Sequence, residues 1–600
     1  MNNQKLENLL NLALETPYEQ REKSLNLNVG YAEKTKSWEL IVKYNGELNL
    51  LRDMGIKAEE LIAGYAILTV PQNLVNKVAE LPSVEYVEKP KRLFFADAFG
   101  KEASCILPVT VRPPYLSGEN VLVAVIDSGI DYANRAFRNA DGTSRILYLW
   151  DQTIPPETSL GFLPPEGFLQ GTEFDREQIN AALNAPSAEE RIRLVPSLDV
   201  SGHGTAVAGI AAGSFNGETE GVAPKSSLLV VKLGVPDVNA FPRTTELMRA
   251  LTYVVKKAQK LGMPVAVNLS FGNTYGAHDG ASLLERFLDN VSEIGRNVIC
   301  VGSGNEGASA GHVQGMMGQG ARPGYAGIEL SVAAFEPALN VQLWKNYVDR
   351  FRVSLRAPNG EVQMLPLSGI GKQTVRMAQT TILIYMGQPT PYGVTQEIYF
   401  DFIPDVHYIS PGVWTFEIEA LQTVTGQFYF YLPGEGVRNK ETRFFTPSPQ
   451  VTLTIPSTAE KVITVGAYDV AYDSYADFSG RGYVYTDRTV GLAAGGIVKP
   501  DLVAPEVGIT APNTGGGYGL FTGTSFAVPF VTGTAALLLE WGIVQGNDPF
   551  LYGEKVKAFL RRGARPLRGE TQYPNERVGY GALCLADSIP QESQDAYLQA

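Results

Sequence analysis

Four nearly continuous apolar runs constrain the fold more than any other feature of this sequence. They are ENVLVAVIDSG, SSLLVVKLG, MPVAVNLSFG and NVICVGSGNEG, at residues 119–129, 226–234, 263–272 and 297–307. Strands with this pattern are buried on both faces, which is typical of parallel sheets covered by helices. Segments with helical periodicity lie between them, at 203–213, 244–262 and 281–295. This alternation predicts a three-layer α/β domain built on a parallel sheet.

A second pattern interrupts the α/β region between 312 and 455. Short segments there alternate apolar and polar residues, as in FRVSLRAP, VWTFEIEAL, GQFYFYLPGEG and VTLTIP. In VWTFEIEAL, for example, Trp414, Phe416 and Ile418 share one face. A period of two with Gly and Pro turns predicts an inserted antiparallel sandwich or jelly roll. The α/β pattern returns with EKVITVGAYD at 460–469.

A smaller α+β unit precedes the α/β region. A polar helical lead-in is followed by the strand-like segments WELIVKYNG, AGYAILTV and VEYVEK and by one helical segment, PQNLVNKVAELPS. The stretch KPKRLFFADAFGKEAS then reads as a linker. The predicted domains are an α+β domain at 1–96, an α/β domain in two parts at 97–311 and 456–600, and the inserted β domain at 312–455.

Composition excludes several classes of protein. The formal net charge of −13 argues against a general nucleic-acid binder. The polar N-terminus lacks the features of a secretory signal, and no apolar run approaches the ~18 residues of a membrane span. We therefore expect a cytoplasmic location, with export by another route left open. Three sparse cysteines, Cys105, Cys300 and Cys584, are expected to be free, buried and inert thiols.

Three motifs place chemically useful residues at strand ends and helix starts. VAVIDSGID ends a strand at Asp127, SGHGTAVAGI opens a helix at His203, and GTSFAVP opens another at Ser525. Asp, His and Ser are the parts of a nucleophilic triad, in which the base activates the hydroxyl and the carboxylate orients the base. Each residue also has a simpler interpretation: a turn former for the Asp and helix caps for the other two. The glycines on both sides of His203 favour the catalytic interpretation, since they permit close approach of backbone or substrate.

A fourth motif, GSGNEG, adds a candidate for stabilising negative charge. It places Asn305 in a glycine-rich turn after an apolar strand. Its amide and the backbone N–H of Ser525 at a helix start are two donors suited to an oxyanion. Pro529 fits the first turn of that helix, where a missing N–H costs nothing.

The four motifs, in this order, resemble those of the subtilisin-like serine proteases. The resemblance covers about 119–310 and 456–585. It implies that Asp127, His203 and Ser525 are the catalytic triad and that Asn305 completes the oxyanion hole. It further implies a substrate-binding S1 pocket walled by six residues, for which ordinary strand packing is the alternative: Ser270, Phe271, Gly272, Gly302, Ser303 and Gly304.

Three features depart from compact members of the family. A gap of 76 residues separates Asp127 from His203, the inserted β domain separates Asn305 from Ser525, and Phe526 stands where methionine is common. The 1–96 unit resembles the family's propeptide, which serves as folding chaperone and inhibitor, and the alignment implies self-cleavage between Ala96 and Asp97. This architecture is most similar to the germination-type Csp proteases of spore-forming bacteria, which implies association with the spore.

The sequence thus predicts a self-processing serine endopeptidase that acts on protein or peptide substrates through an acyl-enzyme. The expected partners are a polypeptide substrate and the chain's own propeptide, with no nucleic acid, membrane span, cofactor or metal. We identify no dense Asp/Asn loop that would bind calcium. The alternative is a pseudoprotease, or a propeptide-inhibited regulatory or binding protein of the same fold.

Overall fold

The chain divides into two units, Met1–Phe95 and Ala96–Ala600, which are described separately. The structure is a computed structural model. The residues that it describes are 5–21, 27–28, 30–61, 64–90, 96–214, 220–234, 242–318, 324–365, 371–391, 393–485 and 497–590.

The N-terminal unit is an antiparallel sheet with helices packed on one face. Its helices are α1 (Asn8–Glu15), α2 (Tyr18–Arg21), α3 (Asn49–Asp53) and α4 (Val75–Glu80). Its strands are β1 (Tyr31–Ala32), β2 (Ser37–Tyr44), β3 (Lys57–Leu61), β4 (Tyr65–Pro71) and β5 (Val84–Glu88). The order is β1-β2-β4-β3, with β5 beside β2. Alternate residues of β2 enter the core with apolar residues of the helices. The α+β prediction is confirmed, although the charged strand β3 escaped it.

The predicted linker is helical in its second half. Helix α5, an element that the interpretation as a linker did not include, spans Ala96–Ala103 and is followed by α6 (Leu107–Val111). Residues 91–95 lie outside the described residues. The predicted self-cleavage bond, Ala96–Asp97, falls at the first turn of α5.

The first part of the α/β domain supplies most of its sheet. Its strands are β6 (Leu122–Asp127), β7 (Ile146–Asp151), β8 (Thr172–Asp175), β9 (Ser227–Lys232), β10 (Val265–Leu269) and β11 (Asn297–Gly302). Its further helices are α7 (Arg176–Leu183), α8 (Ala188–Leu194), α9 (His203–Ala212), α10 (Thr244–Leu261) and α11 (Leu283–Ser292).

Two antiparallel sheets form the inserted domain. The strands are β12 (His312–Met316), β13 (Tyr325–Val332), β14 (Leu339–Asn346), β15 (Arg350–Arg356), β16 (Val362–Met364), β17 (Gly371–Met377), β18 (Thr380–Met386), β19 (Thr395–Pro404), β20 (Gly412–Gln422), β21 (Gln427–Tyr431) and β22 (Arg443–Phe444). The sheet orders are β12-β21-β14-β19-β18-β17 and β16-β15-β20-β13-β22. Both contribute to one apolar core, in which Trp414, Phe416 and Ile418 are fully buried. The inserted all-β domain is therefore as predicted.

The chain then returns to the α/β domain and completes it. The remaining strands are β23 (Ile463–Asp469), β24 (Ser474–Tyr475), β25 (Tyr483–Tyr485), β26 (Ile497–Lys499), β27 (Leu502–Pro505), β28 (Ile509–Pro512) and β29 (Tyr518–Phe521). The remaining helices are α12 (Thr524–Leu539), α13 (Gly553–Gly563) and α14 (Leu585–Ser588). The segment VTLTIP, predicted as a sandwich strand, is instead a loop of this domain, in which Ile455 forms a bridge with Asn273.

The main sheet is mostly parallel and buried on both faces, as predicted. Its order is β24-β23-β11-β10-β6-β9-β7-β8, with β27 beside β23, and only its outermost pairs, β7 with β8 and β23 with β24, are antiparallel. In β6, Val123 and Val125 face a core shared with α9 and α12. Leu122, Ala124 and Ile126 face the core shared with α10 and α11. The continuous apolar runs follow from this double burial.

Helix α12 runs through the centre of the domain. The segment Thr524–Val544, which includes α12 and the turn after it, is by length and composition apolar enough to cross a membrane, so the expectation that no apolar run approaches that length is wrong. However, 89% of its most apolar window is buried inside the protein. We interpret it as a core helix of the α/β domain.

The structure corrects the expectation that all three cysteines are free. Cys105, after α5, forms a disulfide with Cys584, just before α14. Their separation of 479 residues concealed the pair from sequence reasoning. Cys300 is free and buried, as expected.

Two buried histidines lie in the contact between the sandwich and the α/β domain. His278 of the α/β domain and His312 of β12 stack on Tyr431, with ring centroids 4.0 and 4.2 Å from the tyrosine ring. His278 Nδ1 lies 2.6 Å from the Leu453 carbonyl oxygen. Burial lowers the pKa of His278 to about 4 and that of His312 to about 3. Both rings are therefore neutral above those values.

We predict that these two histidines make the protein less stable in acid. The unfolded chain binds a proton at each near pH 6.5, whereas the native stack does not, so stability falls as pH drops below 6.5. Each histidine lowers the free energy of unfolding by about 3 kcal/mol by pH 4. Urea denaturation of Ser525→Ala protein at pH 7 and pH 4.5 measures this loss.

His312→Phe keeps a flat ring and removes one of the two proton sites, so it is expected to lose less stability on acidification. His407→Phe, at an exposed position, is the control and should behave as the parent does. Equal acid sensitivity in His312→Phe and the parent would contradict the assignment.

Candidate active site

Asp127 and His203 meet at the carboxyl end of the parallel sheet. Asp127 is the last residue of β6, and His203 is the first residue of α9. The His203 Nδ1 atom lies 2.7 Å from Asp127 Oδ1. Asp127 is 5% exposed, whereas about a third of the His203 side chain is open to solvent. A buried carboxylate thus orients a partly accessible imidazole.

The start of α9 requires glycine at two positions. Gly202 has a φ of +76°, in the left-handed region. A Cβ on Gly204 would lie 2.2 Å from the carbonyl oxygen of Gly129. The close approach anticipated from the sequence is therefore between α9 and the loop after β6, and it brings His203 against Asp127.

A second carboxylate, Asp199, fixes the loop that carries His203, and sequence reasoning missed it. Asp199 Oδ2 accepts from the backbone N–H and the hydroxyl of Thr205, at 2.8 and 2.7 Å. Asp199 Oδ1 accepts from Gly202 N–H and from the Ser128 hydroxyl, at 3.1 and 2.8 Å. Asp199 lies three residues before the N-cap position of α9, which Gly202 occupies, so no capping pattern in the sequence pointed to it.

These two carboxylates also set the charge preference of His203. Burial of the ring opposes its protonation, but the attraction of Asp127, its hydrogen bond and the charge of Asp199 outweigh burial. The pKa of His203 is therefore raised above its ordinary value. A base with a raised pKa binds a transferred proton more strongly.

Ser525 occupies the first turn of α12, and its hydroxyl is engaged by the predicted S1 wall. The Ser525 hydroxyl donates to the Ser270 carbonyl at 3.1 Å, and the Ser270 hydroxyl donates to the Ser525 carbonyl at 2.9 Å. A hydroxyl has one proton, so in this conformer Ser525 does not donate it to His203. Donation to His203 would require the Ser525 hydroxyl to turn away from the Ser270 carbonyl.

Asn305 is held beside Ser525 with its amide nitrogen available. Asn305 Oδ1 accepts from the backbone N–H and the hydroxyl of Thr524, both at 3.0 Å. These contacts fix which end of the amide faces α12, and they leave Nδ2 as the outward donor of an exposed side chain. The N–H of Ser525 belongs to the first turn, where no intrahelical acceptor exists. The two predicted oxyanion donors therefore flank the same turn.

The six residues predicted to form the S1 pocket lie on two adjacent segments, but their side chains differ in direction. Gly302 is the last residue of β11, and Ser270 follows β10. The Phe271 ring packs against the core of α10 and α11, and the Ser303 hydroxyl lies 3.2 Å from that of Ser479. These two residues can therefore contribute only backbone to a pocket wall.

Thr454 lies between the two segments that are predicted to form the walls of the S1 pocket, 270–272 and 302–304. A Cβ added at Gly272 would lie 2.5 Å from Thr454 Oγ1, and one at Gly304 would lie 2.4 Å from Thr454 Cγ2. The Thr454 N–H donates to the Ser303 carbonyl at 3.0 Å, and the residue is 7% exposed. The threonine therefore narrows the slot between the walls. It escaped sequence reasoning because it was assigned to the sandwich.

The Phe526 ring lies against the His203 imidazole on the side of α12. Its ring centroid is 5.3 Å from that of His203 and 5.0 Å from that of Phe521. At 6% exposed, Phe526 covers one side of His203 with apolar surface. Among the described residues, no group of three or more His, Cys, Asp or Glu side chains is placed to hold a metal ion.

Comparisons with known proteins identify the family of this chain. The profile of the subtilase family matches residues 118–382 and 439–581, and that of the Csp protease B prodomain matches residues 4–91. The chain therefore belongs to the subtilase family of serine proteases and carries a Csp-type prodomain.

Individual relatives match over different lengths. The Clostridium perfringens CspB protease structure is similar with a TM-score of 0.72 and 35% identity, covering 82% of this chain and 96% of that one. Serine protease AprX of Bacillus subtilis is 34% identical over 23% of this chain, and the minor extracellular protease Vpr of Bacillus subtilis is 23% identical over 93% of it. The matches span 32% of AprX and 63% of Vpr.

We predict that Asp199 acts on the rate through His203. Asp199→Asn keeps the size of the side chain but removes a charge that raises the pKa of His203. The acid limb of the rate of Ser525 labelling by a fluorophosphonate is therefore expected to move to lower pH. Asp141→Asn, in an exposed turn, is the charge-matched control and should leave the profile in place. An unshifted profile in Asp199→Asn would reject the electrostatic role.

Proposed function

We propose that this chain is an active serine endopeptidase that cuts its own sequence after the prodomain. The observation that carries the proposal is the 2.7 Å contact between His203 Nδ1 and Asp127, which leaves Nε2 as the proton acceptor. Ser525 and Asn305 on the neighbouring turn provide a nucleophile and an oxyanion donor.

The reaction would proceed through an acyl-enzyme. His203 Nε2 takes the Ser525 proton as the hydroxyl oxygen attacks a peptide carbonyl, and Asp127 stabilises the imidazolium. Asn305 Nδ2 and the Ser525 N–H receive the developing oxyanion. His203 then protonates the leaving amine, and water hydrolyses the ester by the same proton route.

Intact-mass analysis of wild-type protein beside Ser525→Ala tests this function. We expect wild type to divide near Ala96–Asp97 and Ser525→Ala to remain whole. Ser159→Ala, at an exposed position of a short 3-10 helix, is the control and should divide as wild type does. Equal cutting of wild type and Ser525→Ala would assign the cleavage to another protease.

A second candidate is a resting or pseudoprotease form, in which the prodomain inhibits the site or the protein only binds. The hydrogen bond from Ser525 to the Ser270 carbonyl favours it, because the nucleophile is not engaged by its base. Labelling of Ser525 by a fluorophosphonate separates the two candidates. An unprocessed chain that still labels is a resting enzyme, whereas one that neither cuts nor labels is a pseudoprotease.

The slot geometry also supports a preference for small P1 residues. Thr454→Gly removes the side chain between the walls and is expected to raise kcat/KM for a phenylalanine P1 peptide over an alanine one by about 10- to 100-fold. Thr454→Ser, which removes only the methyl group, should give an intermediate change. Peptide pairs differing only at P1 provide the measurement, and an unchanged ratio in Thr454→Gly would exclude Thr454 from the pocket.

A further inference from the structure

A groove of about 780 Å³ lies next to the loop that carries His203. Three segments form it: 131–135 after β6, the region of α8 through residue 200, and the tip of the β28–β29 hairpin at 514–518. Helix α8 belongs to the long gap between Asp127 and His203. None of the six predicted S1 residues contributes to this groove.

The three walls are tied to one another, so the groove is preformed. Gly515 N–H donates to Asp131 Oδ2 at 2.9 Å, which joins the hairpin tip to the first segment. The Tyr132 hydroxyl donates to the Val195 carbonyl at 2.9 Å and joins that segment to the chain after α8. A Cβ added at Gly202 would lie 3.7 Å from Thr514 Cγ2, so the hairpin also reaches the residue before His203.

Two arginines that have no carboxylate partner among the described residues line the groove, together with Asp131 and Asp199. These arginines are Arg135 and Arg191. Burial lowers the pKa of the Arg138 guanidinium, and the positive charges of Arg191 and Arg135 lower it further, so Arg138 lies close to both. Within the described residues, none of the three forms an ion pair with a carboxylate. Arg191 Nε is buried without a hydrogen-bond partner there.

The acidic groups of the groove are already occupied by the protein. Asp131 Oδ1 and Oδ2 accept from the N–H groups of Ala133 and Gly515, and both oxygens of Asp199 hold the His203 loop. These carboxylates keep their charge, but their oxygens are hydrogen-bonded within the protein. The guanidiniums of Arg135 and Arg191 are therefore the charged groups of the groove that are left to pair with a ligand, and a carboxylate is the group that matches them.

Three exposed apolar residues also line the groove, and we call them the apolar ledge. They are Ile192, Leu198 and Val200, with 44%, 48% and 75% of their surfaces exposed. Apolar side chains beside arginines match a polypeptide that alternates apolar and acidic residues, whereas a phosphate ligand would leave the ledge uncovered. Arginine also pairs with carboxylates in a bidentate geometry.

We propose that this groove binds an acidic segment of the polypeptide substrate, with carboxylates on Arg135 and Arg191 and apolar side chains on the ledge. The inference rests on the proposed function only in naming that polypeptide as a substrate. It adds a recognition site outside the predicted S1 pocket, formed by a segment that lies between Asp127 and His203.

Binding to the full chain carrying Ser525→Ala tests this site without requiring catalysis. The probe is a fluorescein-labelled peptide of Ser-Leu-Glu repeats, compared by anisotropy with the same peptide made of Ser-Leu-Gln repeats. We expect the glutamate peptide to bind about tenfold more tightly. Arg135→Gln with Arg191→Gln should abolish that preference while leaving the melting temperature close to that of the parent.

Arg193→Gln is the matched control, since Arg193 lies on the same helix but pairs with Glu190 at 3.2 Å and does not line the groove. It should keep the preference. Equal binding of the two peptides, no binding of either, or a preference that survives the double substitution would overturn the proposal. Stronger, arginine-dependent binding of a single-stranded oligonucleotide would overturn it in favour of another ligand class. Failure of the proposed function would instead show as absent cleavage and labelling in protein with Ser525 intact.

Discussion

The register of α12 against the parallel sheet is the constraint on which the rest of the site depends. Every residue of α12 except Ser525 is buried, so apolar packing alone does not define how the helix is rotated. A polar chain in the core does: Thr532 donates to Asn268 at 3.0 Å, and Asn268 donates to Ser270 at 2.8 Å. Paired polar groups in a low-dielectric interior favour a single arrangement.

This arrangement determines the positions of the candidate catalytic residues. Ser270 closes the polar chain on the carbonyl of Ser525, so the candidate nucleophile and one predicted pocket wall are positioned by the same contacts. On the other side of the turn, Thr524 is bound to Asn305. The start of α12 is therefore fixed from both neighbouring strand ends, and α9 brings His203 to it from a third direction.

The fold was predictable where local pattern and burial agree. Continuous apolar runs identified the parallel strands because both faces of the sheet are covered, and period-two alternation identified the sandwich because one face of each strand meets its core. The candidate triad could be predicted because short motifs at strand ends carry both the reactive residue and its glycines. Asp199, Thr454 and the Cys105–Cys584 disulfide escaped prediction. Their roles depend on what lies opposite them in space, and spacing along the chain does not report that.

The loop at Thr454 also has a consequence for how this protein can change over evolutionary time. The chain leaves the sandwich after β22 and reaches Thr454 within a short loop, before β23 returns it to the main sheet. The loop by which the chain leaves the inserted domain therefore contains Thr454, the residue that narrows the slot between the predicted S1 walls. An insert exchanged together with this loop would bring another residue to the place of Thr454, whereas an insert exchanged without it would leave the slot as it is. The point at which the two domains are joined within this loop therefore decides whether the slot changes when the sandwich does.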